Sequence, residues 1–291
     1  MMATWIDNLR DHRHHCAMNA QNTMAAPKIA PADFIVGMAK GMAVLESFDT
    51  ERQRLNATLA AQRAGITRAA ARRHLLTLAH LGYLETDGSF YWLSSKVLRF
   101  SGSYLASARL PRVLQPTLSR LAAQTGESFS AVVRDADEVV IVARNDYKHY
   151  KNNSALGSKY AGYTPYGLHL GARLPIHATS TGRVLLAALS EAEFDAWAHE
   201  RNLPRLTAHT CTDMAEFRSV VIKIKVDEYA IASQEHELGV HALAVPLRNM
   251  QGDTVAALNV VTQPSHLEPQ VLLRDLLPLL QDAARELRSL I

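Results

Sequence analysis

Thirty residues, Leu55 to Leu84 (LNATLAAQRAGITRAAARRHLLTLAHLGYL), narrow the choice of fold more than any other stretch. Their spacing describes two short helices joined by a tight turn. Asn56 is suited to cap the first helix through its side-chain oxygen, and Gly65 ends it where a left-handed backbone is needed. Thr67 caps the second, leaving only Gly65 and Ile66 between them. In the second helix Ala71, Leu75 and Leu78 recur at i, i+4 and i+7, which makes a buried stripe and sends Arg68, Ala69, Arg72 and Arg73 to another face. That face suits a DNA major groove. Ala69 permits close approach, the arginines can donate paired hydrogen bonds to guanine, and Thr67 with the free N–H groups of the first turn suits a phosphate. An arginine face on an ordinary core helix has the same pattern, so the motif alone does not decide.

The next residues do. Tyr83 to Ser94 (YLETDGSFYWLS) holds two extended runs about Asp87-Gly88, a hairpin signal, and a hairpin directly after such a helix makes a wing. Phe34 to Phe48, with Met38, Met42, Leu45 and Phe48 near helical spacing, is expected to supply a first helix packed against Leu59, Leu75 and Leu78. The boundaries that follow are a flexible tail over 1–33, a winged helix-turn-helix over 34–94 (the two-helix motif about 56–81), a linker helix over 95–110, and a second domain over 111–291.

Charge divides the chain in the same way. Its 291 residues carry a net charge of only +3, but ten Lys/Arg against five acids between residues 34 and 109 give that segment +5. The tail sums to zero, so everything from 110 onward is −2. Positive charge is concentrated where phosphate neutralisation needs it, and the second domain is not expected to bind nucleic acid. Cys16 and Cys211 are the only cysteines, which excludes a disulfide framework. His12, His14, His15 and Cys16 fit no standard metal spacing, so neither a metal nor a cofactor is expected. With no apolar run of membrane-spanning length and no cleavable leader pattern, a cytoplasmic protein is expected, without membrane contact.

Beyond Gly126 the pattern becomes α+β. A hairpin is expected from Ser128–Arg134 and Val139–Ala143, and a second from Ala242–Leu247 and Val255–Val261 about a turn containing Gly252. Helices are expected at Thr181–Leu189, Glu191–Arg201, Asp213–Val226 and Leu267–Leu290, the last kinked by Pro278. An antiparallel sheet flanked by such helices has room for a small ligand. In PIHATSTGRVLLAAL, a strand-like end runs through Thr179-Ser180-Thr181-Gly182 into an apolar helix. Unpaired N–H groups and hydroxyls at that helix start suit a carboxylate, with Ser180 and Thr181 as its holders, although the same residues also serve as plain caps. His177 and His241 stand near this turn and are candidates to assist, or simply core histidines. Tyr147 to Tyr166 gathers five of the nine tyrosines, residue types suited to a lid but equally to a surface loop.

Four collinear blocks carry a resemblance: AKGMAVLESF, GITRAAARRHLLTLAHLGYL, ARLPIHATSTGRVLLAAL, and YAIASQEHELGVHALAVPL followed by AALNVV. Over residues 34 to 290 the chain resembles the IclR family of bacterial transcriptional regulators, and the TRAAARR form resembles the branch that controls catabolism of aromatic acids such as protocatechuate and 4-hydroxybenzoate. The resemblance implies a winged helix-turn-helix, a linker helix and a GAF-like effector domain. It also implies homodimers or dimers of dimers on a palindromic double-stranded operator, a small aromatic carboxylate as effector, and RNA polymerase as a partner that operator position would decide. It adds Tyr163, Val240, Ala242, Asn259 and Val261 to the pocket, with the valines and alanine as apolar walls and Asn259 to orient a hydroxyl or a second acid group. Ser233-Gln234-Glu235 stands where the family often has an acidic DQE-type start, and the segment from Arg144 to Gly171 is longer than usual. The competing functions are an architectural DNA-binding protein without effector and an enzyme acting on a small acid. Against the enzyme, the chain lacks GxSxG, HExxH, GxGxxG and GxxxxGK[ST].

Overall fold

The computed structural model describes residues 29–49, 52–145, 169–262 and 271–291. Residues 1–28 of the expected tail, and Tyr163 with the rest of the tyrosine-rich segment up to residue 168, lie outside the described residues. The described chain forms two compact units that divide between Ser107 and Ala108.

In the first unit, α1 (Val36–Glu46), α2 (Ala57–Arg63) and α3 (Arg68–His80) precede β1 (Leu84–Thr86) and β2 (Tyr91–Leu93). The local chemistry read in the sequence is realised atom by atom. The Asn56 side-chain oxygen accepts from the N–H groups of Thr58 and Leu59 at 3.1 and 3.0 Å, and Thr67 Oγ1 accepts from Ala70 N–H at 3.3 Å. Gly65 sits at φ +63°, and the N–H of Ile66 reaches back to the carbonyl of Ala61 at 3.0 Å, which closes α2. Val44, Leu55, Ala71 and Leu75 are fully buried together, with Leu78, Leu84 and Tyr91 around them.

The packing face of α1 differs from the expected one. Of the expected stripe, Leu45 and Phe48 pack inward as expected, but Met38 and Met42 are 67% and 46% exposed, and Val44 is fully buried instead. The segment VGMAKGMAVLE is apolar nearly all round, so periodicity does not choose its face. The choice falls to the packing itself, which buries Val44 among Ala71, Leu75 and Leu78 of α3.

After the hairpin, a 3-10 turn at Ser95–Val97 leads into α4 (Leu98–Ser107), which buries no residue within this unit. The second unit opens with α5 (Arg109–Thr125), ended by Gly126 at φ +78°. Strands β3 (Ser128–Asp135), β4 (Glu138–Asn145), β5 (Arg173–Pro175), β6 (Ala230–Ser233), β7 (His241–Arg248) and β8 (Thr254–Thr262) form one antiparallel sheet ordered β5-β4-β3-β8-β7-β6. Both expected hairpins are present, while the short strands β5 and β6 are additions. Three residues and four residues are too few to show a period of two.

The sheet is covered on both faces. On one, Leu243, Val245 and Leu247 pack with Leu114, Leu118 and Leu121 of α5 and with Leu280, Ala283 and Leu287 of α9 (Leu277–Leu287). On the other, Val132, Ile141, Ala244 and Ala257 meet α6 (Ser180–Ala187), α7 (Glu191–Ala198) and α8 (Met214–Asp227). Pro278 does not kink a continuous α-helix. A π turn over Leu272–Leu276 widens the backbone just before it, so the proline enters as an early residue of α9, where its missing N–H leaves no bond broken. Among the described residues, no helix is long and apolar enough to cross a membrane.

Candidate DNA-reading face and effector cavity

The exposed side of α3 carries Arg68, Ala69, Arg72 and Arg73, with Thr67 at its start. Among the described residues, no hydrogen bond or ion pair engages the guanidinium groups of these three arginines. Two other arginines of the unit are committed. Arg63 pairs with Asp49 and donates to the carbonyl of Ser47 at 2.7 Å, tying α2 to the end of α1. Arg54 pairs with Asp87 at the hairpin tip and lies 4.6 Å from the Trp92 ring centre. The tip is itself fixed, because the Asp87 carboxylate accepts from the N–H groups of Ser89 and Phe90 at 3.0 and 2.8 Å. Those backbone bonds hold the Asp87 carboxyl below its ordinary pKa, and the Arg54 charge adds to them. The result is a hydrogen-bonded helix-and-wing frame from which three cationic forks project without a partner among the described residues.

In the second unit, the α6-covered face of the sheet stops short of closing. A cavity of about 640 Å³, open mouth included, lies between the sheet and the amino end of α6. Its floor is Ser130, Val132, Ile141, Ala242, Asn259 and Val261, one face of four strands; Ser180 and Thr181 form one wall and the 235–240 loop another. Thr179 is the cap of α6, its hydroxyl accepting from Gly182 N–H at 3.1 Å. Capping therefore consumes Thr179 and leaves its neighbours free. Ser180 is 1% exposed, and among the described residues its Oγ has no hydrogen-bond partner and no acceptor meets the N–H groups of Ser180 or Thr181. Three donors thus converge where the helix dipole is positive.

Two features hold this wall in place. A Cβ on Gly182 would fall 1.9 Å from the Ile176 carbonyl oxygen, so only glycine lets α6 start this close to the strand end. Arg183, nearly fully buried, grips the Glu235 carboxylate with both terminal nitrogens and gives its Nε–H to the His177 carbonyl at 2.9 Å. Glu235 also accepts from Cys211 N–H at 3.2 Å, and Thr210 Oγ1 donates to the Glu235 carbonyl at 2.7 Å. The loop that walls the cavity is therefore fastened to the helix that opens it. Burial holds His236, on that loop, below the ordinary histidine pKa.

Of the residues expected at the pocket, Ser180, Thr181, Val240, Ala242, Asn259 and Val261 line one cavity. His177 and His241 do not. His177 is buried with Nε2 3.0 Å from the Pro204 carbonyl, and desolvation lowers its pKa. His241 alternates with Ala242 along β7 and so falls on the opposite face of the sheet. Sequence reading missed Ser130, the Arg183–Glu235 pair and His236. One charge, Arg183, inside the apolar run GRVLLAAL was a usable signal, since a buried guanidinium needs a buried carboxylate. Ser130 left a fainter one, a hydroxyl in register with Val132.

Two family models match the chain: "IclR helix-turn-helix domain" over residues 37–88 and "Bacterial transcriptional regulator IclR C-terminal" over 102–289. The Pca operon regulatory protein of Acinetobacter baylyi is 48% identical over 89% of this chain and 90% of its own length. The p-hydroxybenzoate hydroxylase transcriptional activator of the same organism is likewise 48% identical, over 92% of this chain and 96% of its own. Among solved structures, a double mutant of the PobR inducer-binding domain from Acinetobacter, in complex with 3-hydroxybenzoic acid, matches with a TM-score of 0.55 at 45% identity; the match covers 62% of this chain and 98% of that one. With a free arginine face on a winged helix-turn-helix and a separate sheet domain that encloses a polar-ended cavity, this chain belongs to the IclR family of bacterial transcriptional regulators.

Proposed function

We propose that this regulator controls an aromatic-acid catabolic operon, reading a palindromic operator with Thr67, Arg68, Ala69, Arg72 and Arg73 and sensing a small aromatic carboxylate in its second unit. One observation carries the effector half: Ser180 Oγ, buried and without a partner, beside the two unaccepted N–H groups that open α6. A carboxylate supplies the acceptors this cluster needs, and Val240, Ala242 and Val261 supply apolar walls for its ring. Tyr163 belongs to the proposed pocket by family resemblance alone. The names of the two Acinetobacter relatives favour the aromatic branch. An architectural protein without effector would have no use for a cavity ending in unpaired donors.

The partners and boundaries belong to the same proposal. The winged domain extends to residue 94, the linker to 110 and the effector domain to 291, in a protein acting in the cytoplasm. Ile35 and Met38 at the start of α1, and Leu98, Phe100 and Tyr104 on α4, are exposed in the single chain, and burying them against a second copy gives a homodimer, or a dimer of dimers, whose symmetry suits a palindrome. Contact with RNA polymerase would follow from operator position.

A thermal-shift screen against benzoate-type acids tests the effector half. An acid at about 100 times its Kd should add about 2.7 kcal/mol of stability, and Ser180→Ala and Thr181→Val should each diminish that gain. Absence of any shift across the panel would remove the aromatic-acid assignment. A gel shift with the promoter upstream of its own gene tests the other half.

A further inference from the structure

Leu81, Gly82 and Tyr83, which follow α3 directly, are each bonded to the segment that runs into α4. The carbonyl of Leu81, the carboxyl cap of α3, accepts from Lys96 Nζ at 2.6 Å. The Gly82 carbonyl accepts from Ser94 Oγ at 2.5 Å, and the Tyr83 carbonyl accepts from Ser94 N–H at 2.9 Å. The Lys96 ammonium also stands 4.7 Å from the Tyr83 ring centre, and that ring stacks on Phe100 of α4 with centroids 5.7 Å apart and planes 14° from parallel. One cation thus meets both the negative end of the α3 dipole and the negative face of an aromatic ring. α4 buries no residue within its unit, so no core fixes its direction. This joint does.

The same helix carries Leu98, Phe100 and Tyr104, the exposed apolar groups assigned above to contact between two copies. In such a pair each α4 is held by the partner, and each α3 is held to its own α4 through Lys96. The separation of the two reading helices is then the geometry of one joint counted twice. A palindrome demands a fixed separation, because its half-sites return to the same face of the duplex only once per helical turn. We infer that Lys96, together with the Tyr83–Phe100 stack, is a positioning residue that sets this separation and so selects operators by the spacing of their half-sites. The inference rests on the homodimer and palindrome of the proposed function, and it adds a specificity that none of the base-facing residues of α3 supplies.

The test begins with an operator selected from random duplexes by the full chain. Gel shifts then compare that operator with versions whose half-sites are moved together or apart by one and two base pairs. The unaltered chain should bind its own spacing about tenfold or more tighter than either two-base-pair change. Lys96→Met keeps the stem and loses the ammonium, and it should flatten that preference to about threefold or less. Tyr83→Leu removes the ring that both Lys96 and Phe100 meet and should act in the same way. Lys96→Arg keeps a donor and a cation and should retain the preference. A charge that only attracts DNA, or a side chain that only stabilises the fold, lowers affinity at every spacing alike when it is lost. Equal binding of all spacings by the unaltered chain, a preference kept by Lys96→Met or by Tyr83→Leu, or one lost by Lys96→Arg would overturn the inference. Those outcomes leave a dimer on a palindrome in place. If selection yields no palindrome, or one copy binds each duplex, the palindrome reading falls and this inference with it.

Discussion

Gly182 shows how much one missing atom decides. The Ile176 carbonyl oxygen occupies the place where any other residue would put its Cβ, and this oxygen belongs to backbone that cannot swing aside. Gly182→Ala should destabilise the second unit by about 3 kcal/mol, read as a lower urea midpoint, because overpacking against backbone has no cheap relief. Arg183 and Glu235 make a second sharp case. Their charges are buried together, so removing one leaves the other without compensation, and Glu235→Ala should cost about 3 to 5 kcal/mol in the same unfolding experiment. Arg72→Ala is the opposite kind of change. Arg72 is exposed with no partner among the described residues, so its loss should leave the melting curve within about 0.5 kcal/mol of the original. It should still weaken operator binding by about 1 to 3 kcal/mol if Arg72 makes a bidentate contact to a base. An unchanged gel shift and footprint would count against α3 as the reading helix.

At the scale of elements, most of what is local was readable. Asn56 and Thr67 each bond within three residues of themselves and Gly65 turns the backbone between them, which is why the helix-turn-helix could be placed from spacing alone. The hairpins β3–β4 and β7–β8 were readable for the same reason. The face of α1 was not, because a helix apolar all round takes its orientation from whichever neighbour fits, here the core that receives Val44. Acid should expose a further property of the elements around the cavity. Desolvation is the main reason His177 and His236 titrate below the ordinary histidine value of 6.5, and a hydrogen bond from His177 to the Pro204 carbonyl only partly opposes it. The unfolded chain therefore takes up protons before the folded unit does as pH falls through about 6.5. Stability of the second unit should be at its full value above that pH and decline below it. Urea midpoints compared at about pH 7.5 and pH 5.5 check the direction, and a higher midpoint in acid would contradict it.

The whole molecule is two units with separate cores, and each should answer to its own ligand. Unfolding should resolve two transitions, of which an aromatic acid raises only the one belonging to residues 108–291. The sequence by itself determined what short-range chemistry can specify: the caps and turn of α2 and α3, the charge concentrated beside them, the two hairpins of the second unit, and the start of α6 to within one residue. Only the tertiary structure decided which residues meet across long separations. It put Ser130 beside Asn259 and Arg183 against Glu235, and it turned His241 away from the cavity that Ala242 lines. The physical reason is that caps and turns are bonded within a few residues, whereas a cavity is the space left between strands and helices whose register is fixed by every other contact in the core.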